Sequence, residues 1–118
     1  MNPEQQCIAI AEACGWTAKE DKDGFWRAVD PSGNMTHKLW ISESNVWSAG
    51  IPDYLEDLNA MHEAEKTLTK KQLQTYLDIL ADAPRESMYQ TWSTSVFATA
   101  AQRAEAFLRT IGKWKEVQ

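Results

Sequence analysis

The run Phe25-Trp26-Arg27-Ala28-Val29-Asp30-Pro31-Ser32-Gly33-Asn34-Met35-Thr36-His37-Lys38-Leu39-Trp40-Ile41-Ser42 decides the fold class, because it reads as strand, turn and strand within an otherwise largely helical pattern. Residues 25–29 are rich in strand formers, and residues 30–34 are a cluster of turn formers. From Thr36 to Ser42 the period is two, with His37, Leu39 and Ile41 on one side and Thr36, Lys38, Trp40 and Ser42 on the other. The two segments are expected to pair as a hairpin. Residues 17–23, which are polar, read as the connection leading into it.

Helices are expected on both sides of this hairpin. Asn2, Pro3 and Gln5 form a helix start with a capping box, and the helix over residues 3–14 has a core face of Cys7, Ile10, Ala11 and Cys14 before Gly15 stops it. Residues 43–51 read as turn residues around a lone Trp47. A second helix is expected from Pro52, with Asp53, Glu56 and Asp57 at its positive end and a stripe of Leu55, Leu58, Met61, Ala64 and Leu68. Thr69 with Gln72 is a second capping box, opening a helix with Leu73, Tyr76, Leu77 and Leu80 inward and Pro84 at its end, and these two helices should form a hairpin. Residues 88–92 and 96–98 read as one bent strand. Thr99 with Gln102 opens a last helix whose buried face is Ala101, Ala104, Leu108 and Ile111 and which Gly112 ends, leaving a tail anchored by Trp114. The order implies an α+β domain over residues 1–118, a small antiparallel sheet with helices packed on it.

Composition supports one soluble globular unit: 118 residues, 43% apolar and 25% charged. Twelve Lys and Arg against 17 Asp and Glu give a formal charge of −5, which repels phosphate backbones and anionic lipid. Neither a nucleic-acid polymer nor a membrane is an expected partner. No apolar run has the roughly 18 residues of a spanning helix, and the first residues lack the charge and apolar stretch of a signal peptide, so a cytoplasmic location is expected. Cys7 and Cys14 lie about 10 Å apart along one helix, beyond the reach of a disulfide, and are expected to be reduced.

Catalytic and metal signatures are not found. His62-Glu63 begins an H-E-x-x-H pattern, but Lys66 stands where its second histidine belongs. Two histidines and two cysteines without zinc spacing give no metal site, and Asp21-Lys22-Asp23-Gly24 lacks the alternation of a calcium loop. No phosphate-binding glycine loop or nucleophile elbow occurs, so the chain is expected not to be an enzyme and to need no cofactor.

Six tryptophans are the most unusual feature. Arg27 and Lys38 are expected near Trp26 and Trp40 on paired strands, where aromatic faces and cations suit a planar anion, although an aromatic core is the simpler account. Asp53, Glu56 and Asp57 form an acidic helix face that would suit a cationic partner.

Three phrases also resemble those of a family of small bacteriophage and prophage proteins, the phage ABA-sandwich domain. They are Ile8-Ala9-Ile10-Ala11-Glu12-Ala13-Cys14-Gly15-Trp16, residues 51–66 from Ile51-Pro52-Asp53-Tyr54 to Ala64-Glu65-Lys66, and residues 98–109 from Ala98-Thr99-Ala100-Ala101 to Phe107-Leu108-Arg109. The resemblance implies a three-layer α/β/α sandwich, encoded by a phage and working in the host bacterial cytoplasm; it carries over no catalytic residue. It suggests an accessory protein that antagonises a host process or defence by binding a host protein, with residues 43–51 supplying contacts. The alternative is a sponge for a nucleotide-derived immune signal, with Trp26, Arg27, Trp40, Trp47, Arg85, Tyr89 and Trp92 as the ligand-binding candidates. A homodimer sharing such a pocket would fit the sponge.

Overall fold

In the computed structural model, which describes residues 1–81 and 98–116, helix α1 (Pro3–Cys14) begins at the capping box. Asn2 Oδ1 accepts from the Gln5 amide at 2.7 Å, and Gln5 Oε1 accepts from the Asn2 amide at 3.0 Å. Gly15 ends the helix at φ +104°, a left-handed conformation that a side chain would strain, and the Gly15 and Trp16 amides close on the Ala11 carbonyl. Ile10 and Ala11 are buried, whereas Cys7 and Cys14 sit at the margin of that face.

The sheet departs from the expected pairing. Strand β1 (Thr17–Glu20) lies in the segment expected to be a connection and pairs antiparallel with β2 (Trp26–Val29), with Thr17 opposite Val29 and Lys19 opposite Arg27. Asp21 makes the turn between them, its Oδ1 accepting from the amides of Asp23 (2.8 Å) and Phe25 (3.0 Å). The run is polar because it holds an edge strand and its turn, so burial leaves no apolar alternation to read. The expected partner, residues 36–42, makes one isolated bridge to β2, Trp26 with Trp40, and Met35 just ahead of it makes another with Val29. Three steps along β2 face five along the other segment, and the surplus residues break the ladder as a bulge does.

Helix α2 (Glu43–Ala49) occupies the stretch read as turn. Ser42 caps it, and it packs on the sheet, where Val46 and Ala28 are fully buried. Seven residues with one fully buried side chain, Val46, are too few for periodicity to reveal. Helix α3 (Leu58–Glu65) starts later than expected. Pro52 does not open it: the Glu56 and Asp57 amides turn onto the Asp53 carbonyl, and Asp57 is the N-cap, accepting from Asn59 and Ala60. Helix α4 (Lys70–Ala81) opens on the Thr69–Gln72 box, and α5 (Ala100–Thr110) on the Thr99–Gln102 box. The end of α4 at Pro84 and the bent strand over 88–98 fall outside the described residues, apart from the buried Ala98.

Among the described residues the fold is mixed α+β, five helices with a two-stranded antiparallel sheet. The expected α3–α4 hairpin is replaced by an arrangement around α5, on which α1, α3 and α4 all pack. Ile10, Met61, Tyr76, Leu80, Phe107 and Leu108 fill the space between them. The inward face of α5 runs through Ala100, Arg103, Ala104, Phe107 and Leu108, while Ala101 is exposed. On α4, Tyr76 and Leu80 are buried but Leu73 and Leu77 remain partly exposed.

Arg103, 6% exposed, is the one cation in this core among the described residues. Its Nη1 lies 3.2 and 3.4 Å from the two carboxylate oxygens of Glu65 on α3, and its Nε donates to the Ala98 carbonyl at 3.2 Å. Glu65 also meets His62 Nδ1 at 3.2 Å. The Tyr76 hydroxyl approaches Arg103 and Glu65 without the geometry of a full hydrogen bond. Removing Glu65 takes from the buried guanidinium the carboxylate that faces it among the described residues. Glu65→Ala should therefore lower stability by about 3 kcal/mol in urea unfolding, and pairing it with Arg103→Met should recover part of that loss. Additive losses would show that the pair is not coupled.

Candidate functional site

Strand alternation separates Arg27 from Trp26 and Trp40, three of the residues expected to form an aromatic pocket. Trp26 and Trp40 exchange backbone hydrogen bonds of 2.8 Å in both directions, which sets them directly opposite each other on one face of the sheet. Lys38 Nζ sits 4.6 Å from the Trp40 ring centroid. The Trp40 indole is packed against the end of α2. A β-carbon at Gly50 would lie 3.1 Å from its Nε1 and 2.8 Å from the Val46 carbonyl oxygen, so only glycine fits there. Arg27, adjacent to Trp26 in sequence, points to the opposite face and lies across from Lys19. Trp47 packs at the margin of the helical core, in a hollow it shares with Cys7 and Asp53. Arg85, Tyr89 and Trp92 lie outside the described residues.

Two of the three acidic candidates have local structural work. Asp57 caps α3, and Asp53 accepts from the Cys7 thiol at 3.7 Å while its carbonyl closes the turn before α3. Glu56 is exposed beside them.

Two other features stand out, and the sequence reading did not single out either. The first is the outer face of the sheet, opposite Trp26, Ala28 and Trp40. Alternation from the Trp26–Trp40 and Val29–Met35 pairs puts Phe25, Met35, Leu39 and Ile41 on this face together with Arg27 and Lys19. All four apolar side chains are exposed, Met35 by 52% and Ile41 by 84%. The period-two pattern of residues 36–42 places Leu39 and Ile41 on one side. That α2 covers the other side is set by tertiary packing and leaves no mark in that pattern.

The second feature is a cleft of about 420 Å³ where the end of α1, the turn after β2 and the outer side of α3 meet. Trp16, Tyr54 and Cys14 contribute to its walls, and Asp30, Glu63 and Lys66 are its charged residues. Burial pushes the Cys14 thiol up from its ordinary value, against hydrogen bonds to Thr67 and Tyr54 that pull it down. Tyr54 is likewise held neutral by burial, well above the ordinary tyrosine value. Neither group supplies a nucleophile near neutral pH. No cluster of metal-ligating side chains occurs among the described residues, and none of their helices is long and apolar enough to cross a membrane.

No protein-family model, curated protein or solved structure matches the chain.

Two buried tyrosines and two half-buried thiols give the protein an alkaline weakness. Burial raises Cys7, Cys14, Tyr54 and Tyr76 above the ordinary values of 9.0 for thiols and 10.0 for tyrosines. In the unfolded chain they ionise at those ordinary values, so the stability they contribute is whole below them and is lost as pH rises toward the folded values. The urea midpoint should therefore fall between about pH 7.5 and pH 10.5, and Tyr54→Phe should reduce the fall. An unchanged midpoint would contradict the burial of these groups.

Proposed function

We propose that this chain is a non-enzymatic accessory protein of bacteriophage type, which acts in the host bacterial cytoplasm by binding a host protein through the outer face of its sheet. The observation that carries this reading is the composition of that face. Phe25, Met35, Leu39 and Ile41 stand exposed around two cations, Lys19 and Arg27, that oppose each other across the strands. Large exposed apolar side chains grouped on one face mark interaction sites on small soluble proteins, and like charges directly opposite are unfavourable until something neutralises them. A partner with an apolar patch bordered by carboxylates would satisfy both conditions.

The resemblance to phage ABA-sandwich domains supports the biological setting. It also supports a three-layer reading of the fold: α2 covers one face of the sheet, and the docked partner would take the place of a layer on the other. The sponge reading has less behind it, because Arg27 and the Trp26–Trp40 pair occupy opposite faces.

The test uses the purified chain as bait in host lysate, beside Ile41→Asp and Arg27→Glu. A host protein held by the wild type, lost by both variants and rebound after purification would support the reading. Capture that ignores both substitutions would overturn it. So would a homodimer that Ile41→Asp dissolves, since the face would then belong to a second copy. Ile41→Asp should leave the melting temperature within about 2 °C, because exposed substitutions change stability little. A larger drop would place Ile41 inside the fold.

A further inference from the structure

The cleft beside Trp16 has a chemistry distinct from that of the outer sheet face. Trp16 follows the left-handed stop of α1, and Tyr54 comes from the turn before α3, 2% exposed as a residue and held neutral. The two aromatics and the half-buried Cys14 thiol give the cavity an apolar, uncharged interior. A volume of about 420 Å³ is within the range of small-ligand sites, enough for a bicyclic ring with a short side chain.

Charge at the cavity is unbalanced. Glu63 and Lys66, one helical turn apart, meet at 2.8 Å and neutralise each other. Asp30 has no such partner. Its Oδ1 is engaged by the amides of Ser32 (2.9 Å) and Asn34 (3.0 Å), which fixes the carboxylate in the turn after β2. No cation pairs with it among the described residues. The turn is held against the end of α1, where a β-carbon on Gly15 would stand 3.7 Å from the Pro31 side chain.

We infer that this cleft binds a small organic cation, an amine carried on a planar apolar body, with Trp16 as its aromatic wall, Tyr54 buried beneath it and Asp30 as counter-ion. Aromatic faces attract cations through their quadrupole, and a fixed carboxylate adds a charge-assisted hydrogen bond to an ammonium. A nucleotide would meet the opposite: Asp30 repels phosphate, and the only cation lining the cleft among the described residues is already paired. Aromatic residues combined with an excess carboxylate thus assign the sign of the ligand's charge as well as its shape.

Three ligands with the same ring separate charge from shape: tryptamine, the neutral alcohol tryptophol and the anion indole-3-acetate. Each would be titrated into the full chain by calorimetry, with the Trp16 indole N–H followed by NMR. Tryptamine should bind and shift that signal, tryptophol should bind about tenfold more weakly, and indole-3-acetate should not bind. Asp30→Asn keeps the oxygen that accepts the two amides and removes the charge, and should weaken tryptamine about tenfold while leaving tryptophol unchanged. Lys66→Gln frees Glu63 and should tighten tryptamine binding, which provides a second reading if Asp30→Asn fails to fold. Equal affinity for all three ligands, no binding of tryptamine at millimolar concentration, or shifts that bypass Trp16 would each overturn the assignment.

Discussion

The carboxylate of Glu65 against the guanidinium of Arg103 is the constraint around which the helices are arranged. A buried guanidinium beside Tyr76 is tolerated only if its charge is answered and its donors are satisfied. Among the described residues, Glu65 from α3 and the backbone carbonyl just ahead of α5 help to meet that need. Both are directional. Apolar packing is non-directional, whereas Nη1 shared between two carboxylate oxygens, with Nε held by the Ala98 carbonyl, ties α3 to the start of α5 at one place. Since α1 and α4 also rest on α5, that tie fixes the frame, including the outer side of α3 that forms one wall of the cleft.

What the sequence made legible was local. The boxes at Asn2, Thr69 and Thr99 form because an N-cap side chain and the residue three positions on satisfy each other's backbone amides, an interaction that needs no tertiary partner. Asp57 shows how the same chemistry misleads. Pro52 and the acids after it suit a helix start, yet Asp57 caps a helix beginning at Leu58, and the earlier residues are spent on a turn. Strand β1 was hidden because an edge strand with a solvated outer face has no apolar alternation. Arg103 was hidden because a charged residue inside an apolar stripe reads as surface until its partner, 38 positions earlier, is known.

Among the described residues, Arg27 is parted from Trp26 and Trp40 for a reason present in the sequence. Neighbouring residues on a strand point to opposite faces, so Arg27 could not join Trp26 on one surface of a regular strand. The cleft was not legible, because its walls come from Trp16, Asp30, Tyr54 and Glu63, four segments whose proximity is set by the packing of α1, α3 and the turn after β2. Nothing in any one of these segments marks it.

The opposed cations of the outer sheet face have a kinetic side. The molecule as a whole carries −5, so an acidic partner approaching from a distance feels repulsion, and only within a few ångströms of Lys19 and Arg27 does the interaction turn attractive. At physiological ionic strength screening sets in over about 8 Å, which suppresses the distant repulsion more than the contact attraction. Such a surface rejects encounters made in the wrong orientation and rewards those made in the right one. Its association rate should therefore pass through a maximum as salt is added, unlike the steady fall expected of a uniformly attractive pair.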